Sequence, residues 1–204
     1  MDDSAPTVFI IDDEKAITDS LTLLMKSIDL PAKTFSHAQE FIDAYDAKEP
    51  GCLLLDIRMP HISGLELQDY LNRQQCELPI IFMTGHGDIP MAVDAINKGA
   101  LDFIQKPFQA DVLITKIETA FTVDKTRRNK KKGTSKFIGR IELLTPRERE
   151  IMQKMIDGDA NKVIAIDLGI SQRTVEIHRS HIMQKTQAKT LAQLIMMTVA
   201  LEKS

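Results

Sequence analysis

The chain has 204 residues, 43% of them hydrophobic, a length that suits either one large core or two small ones. Its net charge of −3 conceals a division: residues 1–124 carry 9 basic against 21 acidic side chains, a net of −12, whereas residues 125–204 carry 17 against 8, a net of +9. This excludes a uniformly acidic molecule and assigns any contact with a polyanion to the second part. No apolar run nears the roughly 18 residues of a membrane span and the start "MDDSAPT" is acidic, so a cytoplasmic protein with no membrane partner is expected.

In chain order, β-rich runs recur at 7–11 (TVFII), 32–35 (AKTF), 52–56 (CLLLD), 79–83 (PIIFM) and 102–105 (DFIQ). Helical patterns lie between them, with apolar stripes at Ile17, Leu21, Leu24, Met25 and Ile28, then at Ile89, Ala92, Val93 and Ile96, and then at Leu113, Ile117, Ala120 and Phe121. Strands alternating with helices predict an α/β domain over residues 1–122, built on a five-stranded parallel doubly wound sheet. Cys52 and Cys76 have no metal-ligand spacing and read as unpaired thiols.

Residues 123–139, centred on "DKTRRNKKKGTSK", lose the apolar period. They read as a basic linker, flexible or begun as an extension of the fifth helix, with phosphate contacts as the sharper alternative. From 140 to 204 the pattern is helical throughout and predicts an all-α four-helix domain. Thr145, Pro146 and Glu148 form a helix-start signature, Gly158 follows that helix, Gly169 stops a short second one and Ser171 caps a third. Leu191, Leu194, Ile195 and Thr198 mark a last amphipathic helix.

In an open parallel sheet a ligand binds at the carboxyl ends of the strands. Asp12 and Asp13 follow the first strand, Asp56 ends the third, Thr84 follows the fourth and Lys106 the fifth. Three carboxylates converging on that rim would repel, and a hard divalent cation such as Mg2+ would offset them. Lys106 adds a point charge suited to a phosphoryl oxygen. Each residue alone also reads as a helix cap or an ordinary loop residue, and His86 in "GHGD" takes no catalytic role.

The "DD" pair, "DIRMPHISG", "MTGHGD" and "GALDFIQKPF" resemble the receiver domains of two-component response regulators, over residues 7–121. The resemblance implies that Asp56 accepts a phosphoryl group from a sensor histidine kinase. It also implies that Asp13, Asp56 and the backbone carbonyl of Arg58 hold Mg2+, with Asp12 orienting metal-bound water. Thr84 and Lys106 would bind the phosphoryl group and Phe103 would be the aromatic that swings inward, although Phe103 on its own reads as a core residue.

The stretch "ANKVIAIDLGISQRTVEIHRSHIMQKT" has the layout of a helix-turn-helix. Val175, His178 and Ile182 fall on the face suited to its core, and Arg173, Glu176, Ile177, Ser180 and Gln184 on the opposite face. An outward Ile177 suits a thymine methyl, Glu176 a cytosine amino group, and Arg173, Arg179 and Lys185 phosphates. "LTPRERE", "NKVIA", "TVEIHR" and "IMQK" resemble the LuxR-type DNA-binding domain and, with the receiver, the NarL/FixJ family. The DNA-contact set is thus Asn161, Lys162, Arg173, Thr174, Glu176, Ile177, Arg179, Ser180 and Lys185. Leu191, Leu194, Ile195 and Thr198 are dimerisation candidates, with a simple packing role as the alternative. Thr186 departs from the family's usual Leu or Met and is expected to leave the end of the recognition helix less firmly packed.

The resulting expectation is a transcription factor that binds double-stranded promoter DNA, as a homodimer when phosphorylated, and that has no enzymatic turnover beyond Mg-dependent self-phosphorylation and slow self-dephosphorylation. With −12 facing +9, masking of the recognition helix before phosphorylation is a further expectation. Its rivals are a phosphoryl relay whose helical tail binds protein and a hydrolase built on the Asp cluster.

Overall fold

The computed structural model describes residues 5–85 and 89–202. Strands β1 (Thr7–Ile11), β2 (Ala32–Phe35), β3 (Gly51–Asp56), β4 (Ile80–Thr84) and β5 (Asp102–Gln105) form one parallel sheet in the order β2-β1-β3-β4-β5. That is the flavodoxin-like winding. Helices α1 (Lys15–Ser27), α2 (Ala38–Ala44), α3 (Gly64–Arg73), α4 (Ile89–Asn97) and α5 (Ala110–Glu142) make the crossovers and the exit.

The period-2 alternation of the strands divides their side chains between two cores. Phe9, Ile11, Leu53, Leu55 and Phe82 pack with Phe41, Leu67 and Ala92 on the face of α2, α3 and α4. Val8, Ile10, Cys52, Leu54, Ile81 and Met83 pack with Leu21, Met25, Leu113 and Ile117 on the face of α1 and α5. Because both faces are covered, the central strands read as continuous apolar runs.

Two strand limits differ from those predicted. β3 opens at Gly51, paired with Thr7, where a Cβ would stand 2.0 Å from the Thr7 carbonyl oxygen. Thr84 is the last residue of β4 rather than the residue after it, and its carbonyl accepts the Lys106 N–H at 2.7 Å.

The segment 123–139, expected to be either flexible or an extension of the fifth helix, is helical throughout, inside the 33 residues of α5. Its start is tied down by polar groups. Asp124, nearly fully buried, accepts from the Gly51 N–H at 3.1 Å and from Arg128 Nε at 2.7 Å. Arg128 donates in turn to the carbonyls of Ala47, Lys48 and Glu49. Toward the other end Phe137 is 1% exposed. These anchors outweigh Gly133 and Gly139, each costing about 0.8–1.0 kcal/mol relative to Ala in a helix.

The chain divides into two compact units, Met1–Arg128 and Asn129–Ser204. The second is all-α: α6 (Pro146–Ile156), α7 (Asn161–Leu168), α8 (Gln172–Thr186) and α9 (Leu191–Glu202) enclose Ile151, Met155, Ile164, Val175, Ile182 and Leu194, joined by Phe137 from α5. Thr145 caps α6 in a reciprocal capping box, its hydroxyl accepting the Glu148 N–H at 3.3 Å while the Glu148 carboxylate accepts the Thr145 N–H at 2.8 Å. Gly169 ends α7 in the left-handed conformation, φ 63°. The Ser171 hydroxyl caps α8 through the Thr174 N–H at 3.0 Å. Among the described residues no helix is long and apolar enough to cross a membrane.

Candidate phosphoacceptor site and nucleic-acid interface

The carboxyl ends of β1, β3 and β5 bring Asp12, Asp56 and Lys106 together. The Lys106 ammonium lies 2.6 Å from Asp12 Oδ2 and 2.6 Å from Asp56 Oδ1. Asp12 is 1% exposed and its other oxygen accepts the Glu14 N–H at 3.0 Å. The second oxygen of Asp56 accepts the Arg58 N–H at 2.7 Å. Burial pushes the Asp56 carboxyl above the usual carboxylate range, while hydrogen bonding and charge from Lys106 pull the other way. For Lys106 burial alone would lower the pKa, but the two carboxylates more than offset it and hold the amine charged.

Of the three carboxylates expected to converge there, Asp12 and Asp56 share the Lys106 ammonium. Asp13 is exposed, and among the described residues no group of three His, Cys, Asp or Glu side chains is gathered closely enough to hold a metal ion. The donors present, carboxylates and the Arg58 carbonyl, are hard oxygens, and that chemistry fits Mg2+ rather than a soft or borderline metal.

Thr84 is fully buried and its hydroxyl donates to the Ile104 carbonyl at 3.4 Å, a long bond. Phe103, one residue from that carbonyl, is partly buried against the α2–α4 core. Gly64 closes the loop after β3: its N–H donates to the Ile57 carbonyl at 3.0 Å, and a Cβ there would stand 2.2 Å from the Asp56 carbonyl oxygen. Proximity to Asp56 therefore requires glycine, a constraint that sequence spacing alone did not supply. His86 lies outside the described residues.

On α8, Val175 and Ile182 are buried and His178 is half-buried, whereas Arg173, Glu176, Ile177, Ser180 and Gln184 are exposed, Ile177 by 46%. The two faces fall as the helical period predicts. Thr174 and Arg179 are half-buried; Asn161, half-buried, and Lys162, exposed, open α7. Arg173 and Glu176 pair with each other at 3.2 Å, so Glu176 already has a cationic partner.

Lys185, expected at a phosphate, is half-buried and donates to Glu148 Oε2 at 2.6 Å. Burial would raise the Glu148 pKa, but hydrogen bonds from Lys185 and Thr145 and the Lys185 charge hold it down at about 2. The capping box of α6 is thereby locked to the last turn of α8. Thr186 also differs from expectation: it is fully buried and its hydroxyl donates to the Ile182 carbonyl at 2.7 Å, so the helix end is packed with its polar atom satisfied.

Of the dimerisation candidates, Leu194 is 0% exposed and belongs to the unit's own core, while Leu191, Ile195 and Thr198 are half-buried. The outward apolar residues of α9 are Met196, 71% exposed, and Val199, 40% exposed. Helical spacing gave the stripe, but the packing against α6 and α8 decided which side of it faces inward.

Residues 8–118 match the response regulator receiver domain family, and residues 142–198 match the bacterial regulatory proteins of the luxR family. The transcriptional regulatory protein FixJ of Bradyrhizobium diazoefficiens is 40% identical over 188 residues, 92% of each chain. The response regulator protein TodT of Pseudomonas putida is 38% identical over 204 residues, 100% of this chain and 90% of its own. Among solved structures, response regulator StyR is 38% identical with a TM-score of 0.83, covering 98% of this chain and 100% of its own. Full-length FixJ from B. japonicum is 38% identical with a TM-score of 0.60, covering 98% of each.

Proposed function

The chain belongs to the two-component response regulators of the NarL/FixJ family, a receiver domain joined to a LuxR-type DNA-binding domain, and on that premise we propose that Asp56 is the phosphoacceptor through which a sensor histidine kinase controls its binding to promoter DNA. The observation that carries the reading is the Lys106 ammonium held 2.6 Å from both Asp12 and Asp56 at the rim of the sheet. A carboxylate oxygen of Asp56 attacks phosphorus, the bond from phosphorus to the kinase histidine nitrogen breaks, and an acyl phosphate forms. Burial makes the carboxylate more basic and hence a better nucleophile, while Lys106 and the Arg58 N–H keep it ionised.

Mg2+, held by Asp12, Asp13, Asp56 and the Arg58 carbonyl, would neutralise charge on the phosphoryl oxygens. Lys106 pairs with one of those oxygens after transfer, releasing its hold on Asp12. The Thr84 hydroxyl gives up its long bond to the Ile104 carbonyl for another phosphoryl oxygen. Phe103, next in the chain to Ile104, repacks inward, and the surface of the receiver changes as a population shift.

In the second unit α8 enters the major groove of double-stranded DNA. Arg173 and Arg179 contact phosphates, and Ile177 meets a thymine methyl. Asn161, Lys162, Thr174 and Ser180 complete the contact surface, with Lys185 acting through its hold on Glu148. A cytoplasmic homodimer forms on phosphorylation, with Met196 and Val199 of α9 as the outward apolar contacts beside Ile195 and Thr198.

A small phosphodonor with Mg2+ tests both halves. Intact mass should rise by one phosphoryl group, lost on hydroxylamine treatment, and footprinting on the protein's own genomic neighbourhood should strengthen; Asp56→Asn should abolish both. Modification that persists in Asp56→Asn would overturn the assignment. Arg179→Glu should abolish DNA binding with phosphorylation intact, and protection that survives this change would favour a protein-binding tail instead.

A further inference from the structure

The basic segment that leaves the receiver is a helix, and its charges therefore have fixed places. Between Asn129 and Ile141 it carries Lys130, Lys131, Lys132, Lys136 and Arg140 with no Asp or Glu among them. Lys132, Lys136 and Arg140 are spaced i, i+4 and i+8, so they form one ridge about 12 Å long on α5. Lys132 and Lys136 are exposed. Neighbouring like charges at this spacing repel, and Gly133 and Gly139 weaken the helix further. A counter-charge from outside the segment would remove that repulsion.

The ridge is built into the DNA-binding unit. Phe137 is buried in its core with Leu144, and Ile141 packs against them. Arg140 Nη1 donates to the carbonyl of Thr186, the last residue of α8, at 3.4 Å. Arg140, at one end of the ridge, is thus tied to the C-terminal end of α8, with Lys136 and Lys132 one and two helical turns along α5.

We propose that the Lys132, Lys136 and Arg140 ridge of α5 is a second, sequence-independent phosphate-binding surface, occupied by the backbone of the duplex flanking the site that α8 reads. The complementarity is that of a carboxylate-free basic helix with a polyanion, and the occupant is DNA because the same unit carries the LuxR-type module. The inference rests on α8 docking to DNA as proposed above. The residue types are those of backbone positioning, with no base-reading chemistry on the ridge.

The test is the salt dependence of DNA binding by the full phosphorylated chain, on a duplex extending beyond the footprint. In Lys132→Gln/Lys136→Gln, loss of two phosphate contacts should make the slope of log K against log salt shallower by about 1.8, at about 0.9 per phosphate. Affinity at low salt should fall by on the order of tenfold, equally for cognate and unrelated duplexes. Trimming the duplex to the footprint should remove the difference between variant and parent. A matched change of charge in the receiver, Lys26→Gln/Lys48→Gln, should leave the slope unchanged.

An unaltered slope in Lys132→Gln/Lys136→Gln, with helix content and cognate protection intact, would overturn the proposal. So would an equal effect of the receiver variant, which would mean that net charge alone is being read. Failure of the α8 reading gives a different result, namely cognate protection that survives Arg179→Glu.

Discussion

Asp56 is set by two opposed effects: burial disfavours its charge, and Lys106 together with the Arg58 N–H favours it, with burial the stronger. Its folded pKa therefore lies above the unfolded value of 3.8, so the ionised carboxyl costs stability at neutral pH, and the cost fades as pH falls through the folded pKa. Asp56→Asn should accordingly melt no lower than the parent at pH 7, and up to a few degrees higher. The gain should shrink toward pH 4; thermal melts at both pH values check the sign. Gly64→Ala should act in the opposite direction. Its Cβ would meet the Asp56 carbonyl oxygen at 2.2 Å, a backbone atom that cannot swing away. We expect a loss of roughly 3 kcal/mol, measured by denaturant unfolding, together with slower phosphoryl transfer because the strand end carrying Asp56 is displaced.

At the scale of elements, the second unit depends on one buried carboxylate joining two helices. Glu148 closes the capping box of α6 and binds Lys185 at the end of α8. With its pKa held at about 2 against an ordinary 4.5, it contributes stability that is complete above about pH 4.5 and lost as pH falls toward 2. Protection of the α6 and α8 amides, taken relative to the intrinsic exchange rate at each pH, should fall through that window in the parent. In Glu148→Gln it should be lower already at pH 6 and flatter with pH. Lys185→Met should loosen the same amides at neutral pH by leaving Glu148 buried without its cation. This would separate a structural lysine from a phosphate contact, since substitution of a simple phosphate contact would leave exchange unchanged.

The strand and helix periods, the caps at Thr145 and Ser171 and the rim positions of Asp12, Asp56 and Lys106 were legible because each depends on neighbours along the chain or on the winding rule for parallel sheets. The sequence left 123–139 as either flexible or an extension of the fifth helix, and did not choose the helix. Its anchors are Asp124 and Arg128 reaching the Gly51 N–H and the carbonyls at 47–49, distant in sequence and invisible to a local pattern.

For the molecule as a whole, charge is arranged by unit rather than by sum. A chain with a net charge of −3 and a pI of about 6.0 would be expected to avoid DNA, yet its residues 125–204 carry +9. Binding to a duplex at pH 7 should therefore weaken steeply with salt, with a log-log slope of at least about −3 from Arg173, Arg179 and the α5 ridge together. Titrations between 50 and 200 mM salt measure it, and a flat response would contradict a phosphate-based contact. Phosphorylation adds negative charge to the first unit, so any gain in affinity on adding a phosphodonor must come from a shift between conformational states and not from attraction.

The sequence by itself determined the two-part organisation, the parallel sheet, the rim positions of Asp12, Asp56 and Lys106 and the two faces of α8. Those features are written in periodicity, charge and motif spacing, which survive without coordinates. Only the tertiary structure decided that Lys106 bridges Asp12 and Asp56 while the Asp13 side chain is exposed, that Lys185 pairs with Glu148, that Thr186 and Leu194 are core, and that the basic segment is a helix. Each of these depends on which groups meet across long sequence separations, where burial and pairing compete, and that competition is resolved only when the chain has folded.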